Sequence, residues 1–205
     1  MMKTFSIGGI HPSDKKISKD CKIEVLPLPS KVFVSMAQHL GAPATPVVKA
    51  GDIVKVGQVI AEPAGFISAF VHSPVSGTVK SVGPRKDLAG NNMVHGEIDV
   101  EGDEWAEGID ISSEIITSIP EDNKAILDKI KMNGVVGLGG ATFPTHVKLC
   151  PPPGKKADCL ILNGAECEPY LTSDYRIMLE RSKEIIIGAA IMKQVLGGCP
   201  AVIGI

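Results

Sequence analysis

Long apolar runs and dense positive charge are both missing from this sequence of 205 residues. No stretch approaches the roughly 20 apolar residues that a membrane-spanning helix needs, and no apolar core with a cleavage site follows the first residues, so we expect neither a span nor a secretory signal. Lysine and arginine number 21 against 23 acidic residues. Because no basic cluster exceeds a few residues, the composition excludes nucleic acid as a partner and indicates a soluble polypeptide.

Closely spaced cysteines are missing as well. The five cysteines are scattered, and no two of them stand at the spacing of a metal-binding pair: Cys21, Cys150, Cys159, Cys167 and Cys199. Zinc sites and iron–sulfur clusters need such pairs. We therefore expect reduced thiols of a cytosolic protein and no metal ligands.

The first half of the chain is typical of β structure. Residues 1–30 hold three prolines and a glycine pair, which predicts an extended arm lying along the next domain. Over residues 31–100, short β-branched runs alternate with glycine or proline, which predicts a small all-β barrel or sandwich. The runs are Val32–Val34, Val47–Lys49, Ile53–Val56, Val59–Ala61 and Val79–Val82.

A linker and a helix are predicted next. Residues 83–117 are polar and turn-rich, and we interpret them as the rim of the β domain followed by a linker over 101–117. Ser118–Glu121 fits a capping box with proline in the first turn, so we predict that a helix begins there. The pair Asn133–Gly134 is a typical helix end.

The remaining residues alternate between strand and helix patterns. Asp158–Asn163 reads as a buried strand of the parallel type, and Thr172 or Ser173 is a candidate cap for the helix after it. Ser182–Leu196 is apolar round most of its circumference, which predicts a largely buried helix. Ala201–Ile205 begins another strand.

This order predicts an incomplete three-layer, Rossmann-like α/β domain over 118–205, with ligands at the carboxyl ends of its strands. Since the sequence stops inside an apolar strand, we expect a fragment whose second domain is truncated at its C-terminus. The fold class expected for the whole chain is α+β with two domains.

The most informative stretch is rich in glycine. Four glycines within residues 134–140 leave a backbone that can approach a ligand closely. Lys148 follows, and beyond one predicted strand Asn163 precedes the acidic residues Glu166 and Glu168. This combination favours a large cofactor that is flat or phosphorylated.

Part of the first domain resembles the biotinyl/lipoyl barrel-sandwich hybrid family. The resemblance rests on Val48–Glu62 followed by His72–Val79. Carrier members have a modified lysine at the tip between these halves, whereas Pro63–Val71 contains none. This argues against a swinging arm and for a scaffold or docking surface, in which Phe66–Ile67 contacts a partner or packs on the next domain.

Over essentially the whole chain, Gly8–Pro12, this lysine-less module, Gly137–Leu149 and Asn163–Asp174 resemble the C subunit of the Rnf-type ion-translocating electron transport complexes. The second domain is also similar to the FMN- and NADH-binding subunit of respiratory complex I. The resemblance implies an enzyme, the electron-input subunit of a membrane-bound oxidoreductase. It would exchange electrons between NADH and FMN and pass them onward to [4Fe-4S] clusters that lie outside these residues.

The same resemblance implies partners and a location. The partners would be the membrane subunits of the complex, NADH, and ferredoxin indirectly through the complex. The location would be peripheral, on the cytoplasmic side of the inner membrane, with no span in this subunit. The fragment alone is expected to be inactive, because no cysteine run for a cluster occurs in it.

By motif position, the resemblance implies a set of cofactor-binding residues, with no catalytic side chain and no metal ligand: Gly137, Gly139, Gly140, Ala141, Phe143, Lys148, Asn163, Glu166 and Glu168. The small residues would line the flavin, and Lys148 and Asn163 would hydrogen-bond it. Phe143 would lie beside the nicotinamide nucleotide, and Glu166 and Glu168 near the junction of FMN and NADH.

Other interpretations stay open at this point. Glu166 and Glu168 are alternatively a general acid and base, although two carboxylates on a loop need not face each other. Cys167 between them has no evident base and is read as structural. For the whole chain, the alternatives are a related flavoprotein reductase of cobalamin metabolism and a non-catalytic docking module.

Overall fold

Two antiparallel sheets form the first half of the chain in the computed structural model, which describes residues 13–87 and 89–205. Their strands are β1 (Lys31–Ser35), β2 (Thr45–Pro46), β3 (Ile53–Val54), β4 (Val59–Glu62), β5 (Val71–His72), β6 (Ser76–Lys86) and β7 (Asn92–Gly102). The larger sheet has the order β1-β7-β6-β3 and the smaller one the order β2-β4-β5.

The apolar side chains of both sheets meet in one core. Val79 on β6 lies opposite Ile98 on β7, and both are almost fully buried. Met36, Val54 and Ile60 complete the centre of this cluster. Each buried aliphatic side chain of this kind contributes about 1.5–3 kcal/mol, so the alternation of β-branched and polar residues is what closes the module.

Residues 83–117 were interpreted as turn-rich, which was wrong for Gly83–Lys86 and Asn92–Gly102, because these residues are strand in the long β6–β7 hairpin. The outer half of the hairpin is paired from Gly83 with His95 to Lys86 with Asn92. This outer half is largely exposed, in agreement with its polar composition. Val47–Lys49 is likewise not a strand, because the second strand ends at Pro46.

The tip of the module presents apolar side chains to solvent. Phe66, near the position where carrier proteins have their lysine, is 79% exposed. Ile67 is 36% exposed, and its carbonyl oxygen would lie only 2.1 Å from a Cβ at Gly41. Phe66 is therefore the most exposed residue of the tip.

Helices and parallel strands form the second half. They are α1 (Asn123–Met132), α2 (Thr145–Lys148), β8 (Leu160–Asn163), α3 (Ser173–Glu180), α4 (Ser182–Val195) and β9 (Ala201–Gly204). Strands β8 and β9 pair in parallel, from Leu160 with Ala201 to Asn163 with Gly204. The predicted α+β class is confirmed.

Burial in this half was predicted wrongly. Ile161 on β8 is 68% exposed, and Ile186 on α4 is 59% exposed. Helix α4 packs against α1, α3 and β8, which cover only part of its circumference. An apolar sequence was thus a poor guide to burial, because burial depends on what packs against each face.

Helix α1 also begins later than predicted. Asp122 is its N-cap, and its carboxylate accepts hydrogen bonds from the backbone N–H groups of Lys124 (2.9 Å) and Ala125 (3.2 Å). Ser118 and Glu121 precede the helix. This start places Ile126 in a buried position, and the predicted end at Asn133 is confirmed.

The proline-rich arm lies elsewhere than expected. Residues 13–30 form turns but neither helix nor strand, and only their last residue follows the sheet, where Ser30 accepts a hydrogen bond from Val100. Lys16, Ser18 and Ile23 contact the region around α3. Among the described residues, no helix has the length and apolarity to cross a bilayer. Gly8–Pro12, part of the motif above, lies outside the described residues.

Candidate functional site

The glycine-rich stretch is a loop closed at its base. Val136 and Pro144 form an antiparallel bridge. On one side of it, the Gly137 N–H donates to the Phe143 carbonyl (3.0 Å), and on the other, the Thr145 N–H donates to the Val135 carbonyl (3.0 Å). Residues 137–143 therefore project as one unit between the end of α1 and the start of α2.

The entry to the loop is fixed by contact with the β module. Gly134 has φ +61°, and a Cβ at this position would lie 2.3 Å from the carbonyl oxygen of Phe70 and 3.4 Å from His72. A side chain would meet backbone there, so only glycine allows this close approach. The junction of the two halves thus determines where the loop starts.

The tip of the loop faces open space. Among the residues that the structure describes, no heavy atom outside the immediate neighbours lies within 4 Å of a Cβ built at Gly139 or Gly140. Gly140 has φ +64° and Leu138 is exposed. The tip is therefore bare backbone that a flat ligand can approach.

Thr142 holds the loop in an unusual backbone conformation. Its φ of +49° makes it the single non-glycine residue with positive φ among those that the structure describes. Its hydroxyl donates to the Ala141 carbonyl (2.7 Å), and its own carbonyl accepts from the Leu40 N–H of the β module (3.4 Å). A left-handed residue of this kind costs about 1–2 kcal/mol, which these contacts offset.

A cation lies against the base of the loop. Lys148 is the last residue of α2, and its Nζ lies 2.7 Å from the position that a Cβ would take at Gly137. The ion pairs found in the described part of the chain do not involve this ammonium group. The lysine is thus positioned to meet an anionic group that approaches the loop.

Asn163 forms the second part of the predicted site. It is the last residue of β8, opposite Gly204, and its Oδ1 accepts from the Ala165 N–H (3.1 Å). This turn directs the chain from the carboxyl end of the strand into the acidic loop of residues 164–171. Asn163 thus lies at a strand end, where ligands are expected in α/β sheets.

Glu166 has a structural role that the sequence did not reveal. One carboxylate oxygen accepts from the Tyr175 N–H (3.0 Å) in the first turn of α3, and the other is buried without a hydrogen-bond partner in the described part of the chain. Thr172, the predicted cap, makes no cap hydrogen bond, because its hydroxyl bonds to Ser18 (2.8 Å) instead. Glu166 satisfies the helix end in its place.

Glu168 differs from Glu166. It is exposed, and its backbone carbonyl accepts from the Lys16 ammonium (3.0 Å) and from the Leu171 N–H (3.2 Å). Cys167 between the two glutamates is exposed. The loop therefore has one anchored carboxylate and one that faces solvent.

The predicted residues fall into two groups. Gly137, Gly139, Gly140, Ala141, Phe143 and Lys148 belong to the glycine loop and α2, and Asn163, Glu166 and Glu168 follow β8. In the described residues no hydrogen bond joins the groups. They are connected by the packing of α1 against α2 and α4, and of α4 against β8.

A cavity of about 570 Å³ lies at the end of β8. Sequence reasoning missed its lysines, because they come from the arm, some 150 positions away. The residues that line the cavity include Lys16, Lys19, Gly164, Glu166, Tyr175 and Met178.

Two histidines near the junction have altered acidity. Burial lowers the pKa of His146, with smaller contributions from the charges of Lys131 and His39, and its Nδ1 is buried without a hydrogen-bond partner among residues 13–87 and 89–205. Burial also lowers the pKa of His72, opposed by a hydrogen bond with the Met132 backbone. Neither residue was singled out from the sequence, which gives no sign of their burial.

Comparison with known families assigns both halves. Residues 3–104 match the RnfC barrel sandwich hybrid domain, and residues 130–205 match the Nuo51 FMN-binding domain. The lysine-less barrel-sandwich hybrid predicted for the first half is thereby confirmed.

Similar proteins agree with these matches. The chain is 46% identical, over its whole length, to the C subunit of the proton-translocating ferredoxin:NAD(+) oxidoreductase complex of Clostridium ljungdahlii, and 41% identical over 97% of it to the Na(+)-translocating counterpart of Acetobacterium woodii. It is 40% identical over 96% to the C subunit of the ion-translocating oxidoreductase complex of Rhodobacter capsulatus. It spans 44%, 44% and 38% of these relatives, respectively. The chain belongs to the RnfC family, the C subunits of the Rnf-type ion-translocating oxidoreductase complexes.

Proposed function

We propose that this chain provides the FMN site of an electron-input subunit, at which electrons are exchanged between NADH and FMN. The observation that carries the proposal is the match of residues 130–205 to an FMN-binding domain, within which residues 137–143 form an open loop of bare backbone. Bare backbone suits a flat ring system, which needs close approach and free N–H groups.

The glycine loop and Lys148 would hold the cofactor. Gly139 and Gly140 leave space for the ring, and the ammonium group beside Gly137 would bind the anionic part of the cofactor. Such an attraction is stronger in a partly dry cleft than in water. Bound FMN would supply the hydride and electron transfer, and the protein would supply binding and orientation.

The acidic loop would complete the site at the strand end. Glu166 would lie at this end of the site, with one carboxylate oxygen held by the Tyr175 N–H of α3. Asn163 holds the turn that carries this loop. Phe143 and Glu168 would contribute to the nucleotide side of the same site.

The wider assignment follows from the relatives. Their names describe ferredoxin:NAD(+) oxidoreductase complexes that translocate protons or sodium ions. By analogy, the partners of this subunit would be the membrane subunits of such a complex, with ferredoxin as the indirect electron partner. Its [4Fe-4S] clusters would lie in the part of the relatives that this chain does not span, and its location would be peripheral, on the cytoplasmic side of the membrane.

The decisive experiment is an FMN titration of the complete subunit, followed by flavin absorbance on addition of NADH. We expect stoichiometric FMN binding and bleaching of the flavin by NADH. Gly139→Ala should leave the unfolding free energy of the ligand-free chain unchanged, because its Cβ enters open space, yet weaken FMN binding about tenfold or more by blocking close approach.

The matched control is Gly188→Ala in α4, where a Cβ also meets open space but lies outside the proposed site. This control should bind FMN as the parent does. A complete subunit that stays colourless and takes up no flavin would refute the proposal, and equal FMN affinity of the Gly139→Ala and Gly188→Ala variants would remove the loop from the site.

A further inference from the structure

The arm makes a direct connection to the acidic loop. The Lys16 ammonium donates hydrogen bonds to the backbone carbonyls of Glu168 (3.0 Å) and Leu171 (2.6 Å). These two carbonyls bound the short turn in which the Leu171 N–H donates to the Glu168 carbonyl. One side chain from a distant part of the sequence therefore fixes both ends of this turn.

Further contacts hold the arm against α3. The Ser18 and Thr172 hydroxyls share a hydrogen bond (2.8 Å), and the Arg176 guanidinium donates to the Lys19 carbonyl (2.9 Å). Arg176 is also paired with Glu180, whose carboxylate accepts from the Ile23 N–H (3.1 Å).

The ion pair that anchors the arm is partly shielded from solvent. The Arg176 and Glu180 side chains are 15% and 26% exposed. The Arg176 guanidinium and the Ile23 N–H hold Glu180 as a carboxylate and lower its pKa. The arm is thus attached to α3 at several points that follow Lys16 in sequence.

The arm also forms a wall of the cavity at the end of β8. Asp14, Lys16 and Lys19 line it from the arm, and Gly164 and Glu166 line it from the acidic loop. A shift of the arm would therefore change both the cavity and the loop that carries the glutamates. No other described element ties the Glu168 and Leu171 carbonyls to a side chain.

We infer that Lys16 is a positioning residue for the electron-transfer site. It acts by holding the acidic loop, and through it Glu166 and Glu168, in the place where the nucleotide cofactors bind. This inference rests on the proposed function, since the loop matters for cofactors only if FMN and NADH bind there. Lysine suits the role because its ammonium group has three donors, enough for both carbonyls.

The chain offers a matched set of variants. Lys16→Met removes the donors and keeps most of the side-chain volume, and Lys16→Arg retains donors that can reach two carbonyls. Lys15→Met removes the same charge from an exposed neighbour. Hydrogen exchange of residues 163–175 in the ligand-free chain reports on the loop, and the FMN dissociation constant and the KM for NADH of the complete subunit report on the site.

We expect exchange in this segment to become about tenfold faster in Lys16→Met, because charge-assisted hydrogen bonds are lost. The FMN dissociation constant and the KM for NADH should rise several-fold, with exchange in the β6–β7 hairpin unchanged. Lys15→Met should resemble the parent and Lys16→Arg should recover most of both effects.

Two results would overturn the inference: equal exchange in Lys16→Met and Lys15→Met, or faster exchange with unchanged FMN affinity and KM. If the parent subunit binds no flavin at all, the failure belongs to the proposed function. The hydrogen-exchange measurement would then still show whether Lys16 holds the acidic loop, but a role of Lys16 in cofactor binding would be refuted.

Discussion

The Lys148 ammonium nitrogen lies 2.7 Å from the place that a Cβ would occupy at Gly137. A methyl group at this position must displace the end of a flexible side chain rather than backbone. A substitution at Gly137 can therefore move the Lys148 ammonium without destabilising the loop.

Gly137→Ala should move the Lys148 ammonium and leave the fold nearly unchanged. We expect the unfolding free energy to change by less than about 0.5 kcal/mol. FMN affinity should fall about tenfold, because a charge-assisted contact to the anionic part of the cofactor is lost. Lys148→Met should weaken binding to a similar extent, and the double variant should add little to either change. Calorimetric titration of FMN into the complete subunit measures these effects, and fully additive losses would show that Gly137 does not act through Lys148.

Gly134→Ala should destabilise the junction between the two halves. The new Cβ would lie 2.3 Å from the Phe70 carbonyl oxygen at a residue with φ +61°. The strained backbone alone costs about 1–2 kcal/mol, and the contact with backbone adds to that cost.

The matched control for this change is Gly154→Ala. Gly154 has φ +79°, but its Cβ would meet open space, so the control isolates the backbone strain. Urea unfolding followed by circular dichroism compares the two variants. Equal losses of unfolding free energy would mean that the contact with Phe70 does not contribute.

Asp122→Ala should remove the cap of α1. Its carboxylate accepts two backbone hydrogen bonds in the ligand-free chain, and loss of such a cap typically costs about 1 kcal/mol. Glu121→Ala is the control, because Glu121 lies before the helix. Thermal unfolding should show a lower melting temperature for Asp122→Ala but not for Glu121→Ala. A lower melting temperature for Glu121→Ala alone would instead support the capping box predicted from Ser118–Glu121.

Stability should fall as the pH is lowered below about 6.5, the ordinary pKa of histidine. Burial lowers the pKa of both His72 and His146 in the folded chain, so the unfolded chain binds protons first as the pH falls. The contribution of the two neutral histidines to the unfolding free energy is complete above their pKa in the unfolded chain. It declines as the pH falls below that value, and it stops declining below their pKa in the folded chain.

Urea midpoints between pH 8 and pH 5 measure this effect. This pH range excludes the effect of carboxylates whose pKa is lowered in the folded chain, such as Asp87 and Glu97. Their contribution to the unfolding free energy is lost only at more acidic pH. Replacing His146 with glutamine should flatten the profile. A midpoint that rises on acidification would contradict the prediction.

Local patterns predicted several elements because their causes lie within a few residues. The β-branched run at Val59–Ala61 falls in a strand, and the pair Asn133–Gly134 ends α1 because glycine accepts positive φ. The parallel pairing of β8 with β9 followed from two short apolar runs separated by helices. The glycine loop, too, was recognisable from composition alone.

Other features could not be predicted from local patterns, because they depend on residues that are distant in sequence. Glu166, not Thr172, satisfies the start of α3, since Thr172 is already bonded to Ser18 of the arm. Ile186 is exposed although its helix is apolar, because no described element covers that face.

By itself, the sequence determined that the chain has a lysine-less β module, a loop of bare backbone and an acidic segment after a strand. Composition and spacing suffice for these, because they depend on which side chains are present or missing. Only the tertiary structure decided that the arm reaches the acidic loop through Lys16, and that the β module contacts the glycine loop at Gly134 and Thr142. These contacts join residues roughly 60 to 150 positions apart, and no local preference encodes such a meeting.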